Sequence, residues 1–510
     1  MSAAAVLYLA HSLLRYRNFE AKGYDLGIFD QAVRQYALGK PPVVPIKGED
    51  FHLLGDHFHP IIATLAPLYW VWDDPRMLNA AMIALLVSSA LPVYLVVRTW
   101  FGHLPALLSA IALLSWWPFQ AIVNWDFHEI AFGVPLISWI IWSLERGRRW
   151  LAVGLGAVLL LVREDMGITV LALALVLASL RAWWPAAAAA GLGVAGYWFA
   201  VEVVIPHFSP AGEFGYWEFT ALGSSAGAAM VFLVTQPWNA LIILFDDPIK
   251  VGLWALHFLP LWLLPLISRY AVLGAPVLLS RLFNDRENVW STVYQYDAIL
   301  APIFILAALE VLHRLTRRAG SPATQRMPRR SPRWGSGSRS RVDADADVAA
   351  RTWLTPSTRH TLAVALPSSV LVTAVAGSLL FPQVFPFQRT LTGQNWTMSE
   401  RALAHERAVE MIPDGVCVEA ADTAVPHLVQ RTRVGLLGTT DVDRVSWTII
   451  DDRVEELGGS DPLTPPEALD RAAELGFEVR SADDEGLWVL HRELPDELAD
   501  QPQCGEYLSR

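Results

Sequence analysis

Between Ser2 and Leu380 the chain repeats one pattern, an apolar run of 13 to 23 residues followed by a short charged break. Such runs are stable in water only when buried, whereas about 20 apolar residues wound as a helix match the hydrocarbon thickness of a bilayer and satisfy every backbone group internally. Eleven runs are read as crossings: 2–17, 76–98, 103–124, 130–145, 150–162, 167–181, 183–205, 229–245, 251–267, 297–313 and 361–380. The fold class is therefore a polytopic α-helical membrane protein of about 11 spans. Composition agrees, since 53% apolar residues, 17% charged residues and 22 tryptophans exclude an ordinary soluble globule. The first run is short for a span and lacks a small-residue cleavage site, so it is read as an uncleaved first helix, either short in itself or clipped at its start.

Charge divides the chain in two. The formal net charge is −11, yet residues 383–510 hold 25 Asp and Glu against 11 Arg and no Lys, which leaves 1–382 weakly basic. A membrane body thus carries an acidic, water-facing domain at 383–510. Neither part has the basic face that a nucleic-acid partner requires. Within that domain Gly415–Ala420, Ser446–Ile450 and Gly486–Leu490 alternate like strands, and Pro466–Leu475 is amphipathic and ends at Gly476, so a small α/β domain is expected. Its two cysteines, Cys417 and Cys504, can pair if the domain lies outside the cytoplasm; the sequence does not give their separation in space.

Orientation follows from the basic residues. Arg98, Arg146, Arg148, Arg149, Arg181, Lys250 and the run from Arg314 to Arg341 fall on one side, which the positive-inside rule makes cytoplasmic. That places the protein in the plasma membrane as a multi-pass chain, with its N-terminus cytoplasmic and its C-terminal domain extracytoplasmic. The domain plan is a membrane unit at 1–318 with outer loops at 18–75, 125–129, 206–228 and 284–296, a disordered Arg-rich cytoplasmic loop at 319–350, a last membrane helix at 351–382, and the acidic domain. The basic loop is read as a topology and lipid-contact element. Segments 60–72 and 270–283 break the alternation as full spans and are read as interfacial or re-entrant helices.

The outer face collects the residues able to do chemistry. Gly23-Tyr24-Asp25-Leu26-Gly27-Ile28-Phe29-Asp30-Gln31 follows the first helix. Asp25 reads either as a helix N-cap or as a general base at the membrane surface, where partial desolvation raises a carboxylate's pKa. Asp30 lies about 140° around a helix from it, so the two need not share a face. His57 and His59 project to one side if extended. With Asp56 they offer donors to a divalent metal ion, at a spacing that matches no specific metal signature, or hydrogen bonds to a substrate phosphate or to the loop. His128 and Glu129 carry the same alternatives. Arg163-Glu164-Asp165 interrupts a membrane hairpin and is placed at a water-filled face; it is either a structural ion cluster or a phosphate-holding site. Tyr294-Gln295-Tyr296-Asp297 forms either an interfacial aromatic belt or a sugar-binding surface.

At these motifs the chain resembles a known family. YDLGIFDQ, GDHFHPI, DFHE, the RED triplet where the family commonly has Lys-Glu-Asp, YQYDAILAPI and IPDGVCVEAADTAVPHLVQR look like the bacterial and archaeal predicted membrane proteins of domain of unknown function 2079, from about Tyr24 to Asp452. That family is similar to the C-type (GT-C) glycosyltransferase superfamily, multi-span enzymes that take a sugar from a polyprenyl-phosphate carrier. The resemblance implies a GT-C-like fold and a glycosyltransferase acting at the extracytoplasmic face on a cell-envelope acceptor. Asp25 corresponds to the family's first-loop acid, with Asp30 beside it as a second catalytic candidate. Arg163 replaces the family's Lys, keeping the charge and changing the phosphate geometry. Gln31, His57, His59, His128, Glu129, Glu164, Asp165, Tyr294 and Gln295 are the remaining candidates for lining the substrate site. No P-loop, dinucleotide fingerprint or hydrolase elbow is present. Two rivals stand beside this reading: a transporter or lipid flippase using intramembrane acids and histidines, and a non-catalytic envelope scaffold.

Overall fold

The protein is described by a computed structural model covering residues 1–320, 356–454, 462–494 and 503–509. Among the described residues five helices are long and apolar enough to cross a membrane: Arg76–Phe101, His103–Trp125, Trp183–Phe208, Gln295–Thr316 and Ser357–Leu380. A sixth crossing exists if Ala226–Thr235 and Pro237–Ile243 count as one span, although they meet at 107°. Pro237 accounts for the break, because its ring and missing N–H prevent the first helix from continuing.

The structure thus supports five or six spans by this measure, where eleven were expected. Ser2–Arg17 and Ile130–Glu145 have 16 residues each, Met166–Ser179 has 14 and Arg149–Leu159 has 11. At about 1.5 Å per residue these reach roughly 16 to 24 Å, less than a bilayer's hydrocarbon thickness of about 30 Å. Hydropathy finds each of them, but it does not measure where polar residues end the helix. The segments expected to be re-entrant form the short helices Pro60–Tyr69 and Ala271–Leu282. The Arg-rich segment 319–350 lies almost wholly outside the described residues.

Burial ranks the helices. Gln295–Thr316 is the central post, with 83% of its apolar window inside the protein, whereas Trp183–Phe208 and Ser357–Leu380 have 28% and 33% inside. Those two turn aliphatic and tryptophan side chains outward, among them Trp183, Trp184, Trp198 and Val372, as lipid-facing helices do. Met166–Ser179 packs tightly on Trp183–Phe199 because Gly167 and Gly193 face each other. A Cβ at Gly193 would lie 2.7 Å from the Gly167 carbonyl oxygen, so only small residues allow this approach.

The C-terminal domain is built on a five-stranded sheet: β1 Cys417–Ala420, β2 Arg433–Gly435, β3 Trp447–Asp451, β4 Glu478–Ala482 and β5 Leu487–His491. Their order is β2-β1-β3-β5-β4, with β1 parallel to β2 and β3, and β5 antiparallel to β3 and β4. The three expected strands are β1, β3 and β5. β2 has three residues and β4 is largely exposed, too short and too polar to show apolar alternation. The expected helix is Pro465–Glu474, started by a Thr464/Glu467 capping box and stopped before Gly476 at φ +76°.

Cys417 on β1 is disulfide-bonded to Cys504 in the helix Gln503–Leu508, across 87 residues of sequence. Closing a loop of that length restricts the unfolded chain by about 4 to 5 kcal/mol in the chain-entropy account. The double change Cys417→Ser, Cys504→Ser should lower the thermal midpoint of the C-terminal domain by several degrees, and reductant should do the same to the wild type while leaving the double variant unchanged. Thermal unfolding with and without reductant checks both.

Candidate functional site

The sheet domain grips the loop that follows the first helix. Asp422, just beyond β1, accepts the backbone N–H of Tyr24 at 2.6 Å with its carboxylate, and its carbonyl accepts the N–H of Gly23 at 2.8 Å. Gly23 is needed there, since a Cβ would meet Val425 at 2.6 Å. Lys22 completes the contact with an ammonium 3.5 Å from Asp422. Gln31 donates to the Val434 carbonyl at 2.7 Å, and Pro45 accepts from Thr439 at 3.1 Å. This clamp leaves Gly23–Gly27 as a distorted turn before the regular helix Ile28–Ala37.

Asp25 sits in that turn. Its side chain caps no helix: Gly27 occupies the N-cap of Ile28–Ala37, while Asp25 accepts a hydrogen bond from the indole N–H of Trp125 and lies 3.4 Å from His128 Nε2. Burial raises its pKa well above the usual carboxylate value against the Trp125 bond, and the nearby carboxylates Asp422, Asp126 and Glu129 add to the rise. Burial raises Asp126, Glu129 and Asp422 too. Cations answer this acidity at the rim: Arg15 reaches Asp126 at 3.1 Å, and Arg163 approaches Glu129 at 3.5 Å.

His128 has one defined proton. Its Nδ1 lies 3.0 Å from the Phe127 carbonyl, which only accepts, so the neutral ring carries its hydrogen on Nδ1 and turns the Nε2 lone pair toward Asp25. Burial, reinforced by Arg163, lowers the imidazole pKa well below its ordinary value and keeps it neutral. A protonated Asp25 and a neutral His128 can therefore share one proton.

Arg163 is fixed by Asp165 through two parallel hydrogen bonds of 2.8 and 2.7 Å. With the 3.5 Å contact from Nη1 to Glu129, three of the five guanidinium N–H groups are engaged, leaving two able to meet an oxyanion. Glu164 points elsewhere. It accepts from His57 Nδ1 at 2.8 Å and from the Phe58 backbone at 3.0 Å, so it pins the His57 loop to the break between Arg149–Leu159 and Met166–Ser179. His57 also stacks on Tyr216, which donates to Asp56, while Lys47 pairs with Asp56 at 2.8 Å.

Not every candidate joins this group. Asp30 is fully buried in a separate cluster, paired with Arg34 at 3.1 Å and accepting from Tyr69 at 2.7 Å. It belongs to the regular helix Ile28–Ala37, whereas Asp25 lies in the non-helical turn before that helix. Gln31 holds the C-terminal domain rather than lining the site. His59 is buried edge-on to Phe29, its ring centroid 6.5 Å from that of His57, so the two histidines do not converge. Among the described residues no group of three or more His, Cys, Asp or Glu is arranged to hold a metal ion. Tyr294 packs edge-on against Trp125 at 4.4 Å, which brings the start of the central helix to the site, and Gln295 beside it is buried. Trp125, Asp126, Asp422 and Arg15 complete the surroundings of Asp25. The sequence had offered Asp126 and Asp422 within DFHE and IPDGVCVEAADTAVPHLVQR, but nothing local marks Trp125 among 22 tryptophans.

The motifs brought together here are those of one family, and its model matches residues 15–462. The chain belongs to the predicted membrane protein family DUF2079. No curated protein matches it. Among solved structures, ArnT from Cupriavidus metallidurans bound to undecaprenyl phosphate is similar at TM-score 0.54 and 13% identity, with 98% of each chain covered. The same protein in the apo state matches at TM-score 0.51 and 13% identity, covering 98% of this chain and 99% of that one. At such identity the likeness shows a shared fold.

The His57–Glu164 pair gives a pH signature. Burial opposes a charged His57, but Glu164 and then Asp56 outweigh it, lifting its pKa to about 9. A folded-state pKa above the unfolded value of about 6.5 means that the pair's contribution is complete below pH 6.5 and disappears as pH rises through 9. The melting-temperature gap between wild type and His57→Gln should therefore be widest near pH 6 and close by pH 10, with wild type the more stable; a gap constant across that range would contradict the pairing.

Proposed function

We propose that this protein transfers a sugar from a polyprenyl-phosphate carrier to a cell-envelope acceptor at the extracytoplasmic face, the class of reaction implied by the family's similarity to GT-C glycosyltransferases. The observation that carries it is the arrangement of Asp25, His128 and Arg163 around one polar site at the ends of the membrane helices, in a chain with the fold of a protein that binds undecaprenyl phosphate.

In this reading an acceptor hydroxyl approaches Asp25 and attacks the anomeric carbon. The acceptor O–H bond breaks and its proton passes to the carboxylate, whose raised pKa makes it a stronger base than an exposed aspartate once ionised. The bond between anomeric carbon and phosphate oxygen breaks, and the electron pair leaves on the polyprenyl phosphate. Arg163 steadies that oxyanion with the N–H groups that Asp165 and Glu129 leave unused, and Asp165 holds the guanidinium plane. His128, kept neutral by burial, accepts a hydrogen bond from the protonated carboxyl through Nε2 and holds it in place, and the proton leaves Asp25 for water at the membrane surface. Asp30 supports this centre through Arg34 and Tyr69 without touching substrate. Tyr294 and Trp125 offer a sugar-facing aromatic surface, and the C-terminal domain bounds the acceptor side. With this face extracytoplasmic, the basic ends of the helices lie in the cytoplasm.

The test uses the full chain in nanodiscs with undecaprenyl phosphate and native mass spectrometry. Wild type should retain this lipid above ordinary phospholipid, Arg163→Ala should retain it about tenfold less, the loss of one charge-assisted contact, and Asp25→Asn should bind as wild type. With the glycosylated carrier as donor, Asp25→Asn should lower transfer by about 10² to 10⁴, the usual contribution of a general base. Retention no greater than that of phospholipid would overturn the proposal; retention without transfer would favour a flippase.

A further inference from the structure

A polar cavity lies at the far ends of helices that begin beside the candidate site. Three helices begin beside the candidate site and end at this cavity. Arg76–Phe101 starts next to Asp74 and finishes at Trp100, Ile130–Glu145 starts after Glu129 and finishes at Glu145, and Gln295–Thr316 starts beside Tyr294 and finishes past His313 and Arg314. From Gln295 to Glu310 the helix rises roughly 22 Å, and Ile130–Glu145 rises roughly 24 Å. The cavity measures about 500 Å³, within the range of small-ligand sites.

Its charges are unequal in their commitments. Glu145 accepts from Trp100 Nε1 at 3.1 Å and from the Tyr270 hydroxyl. Glu310 accepts from Ser268 at 3.0 Å and pairs with Arg269 at 3.0 Å. Both acids are thus engaged by the protein. Arg314 donates one N–H to the Ile267 carbonyl at 2.9 Å, leaving its other donors to the cavity. Arg146 has no carboxylate or carbonyl partner among the described residues; its guanidinium stands 5.8 Å from the Trp142 ring. Two guanidinium groups with unused N–H forks therefore face one cavity, where they match the oxygens of a phosphate.

We infer that this cavity holds the phosphodiester headgroup of an anionic membrane phospholipid, with Arg146 and Arg314 as its ligands. A lipid is the source the geometry favours over a free anion, because the cavity stands at the ends of Arg76–Phe101 and Gln295–Thr316, two helices long and apolar enough to cross a bilayer, and is lined by Trp100. The inference is independent of the reaction at Asp25, which lies at the other end of the same helices.

Native mass spectrometry of the full-length protein with phosphatidylglycerol, phosphatidylcholine or inorganic phosphate tests it. Wild type should retain phosphatidylglycerol in preference to phosphatidylcholine, and 10 mM inorganic phosphate should not displace it. Arg146→Ala removes no internal hydrogen bond and should lower phosphatidylglycerol retention by about tenfold. Arg148→Ala deletes the same charge two residues away, outside the cavity lining, and should retain the lipid as wild type does. Equal losses in Arg146→Ala and Arg148→Ala would reduce the effect to surface charge and overturn the site. Unchanged retention in Arg146→Ala would overturn it as well, and displacement by inorganic phosphate would overturn the lipid as its occupant.

Discussion

The carboxylate of Asp422 and the backbone of Gly23 and Tyr24 form the contact on which the candidate site depends. It joins a water-facing sheet domain to a loop that has little regular structure of its own, and the joint needs a residue without a side chain at position 23. Asp25 is two residues beyond Gly23, so its direction is set by this clamp and by the Trp125 indole rather than by a helix. A carboxylate held in this way is ordered before any ligand arrives.

Low dielectric shapes everything around it. A buried carboxylate without a cation or a donor costs several kcal/mol, and here Asp30 has Arg34, Asp126 has Arg15, Asp422 has Lys22, Glu164 has His57, and Asp165 and Glu129 share Arg163. Asp25 instead faces two neutral groups, the indole N–H of Trp125, which donates to it, and the Nε2 lone pair of His128. The pairing pattern therefore separates the acids that hold the structure from the one left able to change its protonation, a distinction based on contacts rather than on residue type. The same reasoning isolates Arg146 at the other end of the helices, where every neighbouring acid already has a donor.

Much of the architecture is legible in the order of residues. Hydrophobic period and length locate the long spans, the polar triplet at 163–165 marks the hairpin break, and alternation finds β1, β3 and β5. Eleven spans are not confirmed, because an apolar run announces burial or lipid contact equally well and the helices of 11 to 16 residues fall short of a bilayer's thickness. Asp30 and Asp25 are near in sequence but lie in different structures, Asp30 in the regular helix Ile28–Ala37 beside Arg34 and Asp25 in the non-helical turn before it. The two histidines of GDHFHPI diverge for a related reason, since the loop is not extended and each ring finds a different neighbour.

The sequence by itself determined that this chain lives in a membrane, that it ends in an acidic α/β domain, and that its polar motifs cluster in the loops on one side of its helices. These are properties of local composition and period, which need no knowledge of what packs on what. Only the tertiary structure decided that Asp25 stands against Trp125 and His128, that Glu164 belongs to His57 rather than to a substrate pocket, that Asp422 from 397 residues further along orients the first loop, and that Cys417 meets Cys504. Each of those contacts joins residues far apart in the chain, and their distance is fixed by the packing of helices and the docking of the sheet, which no local pattern encodes.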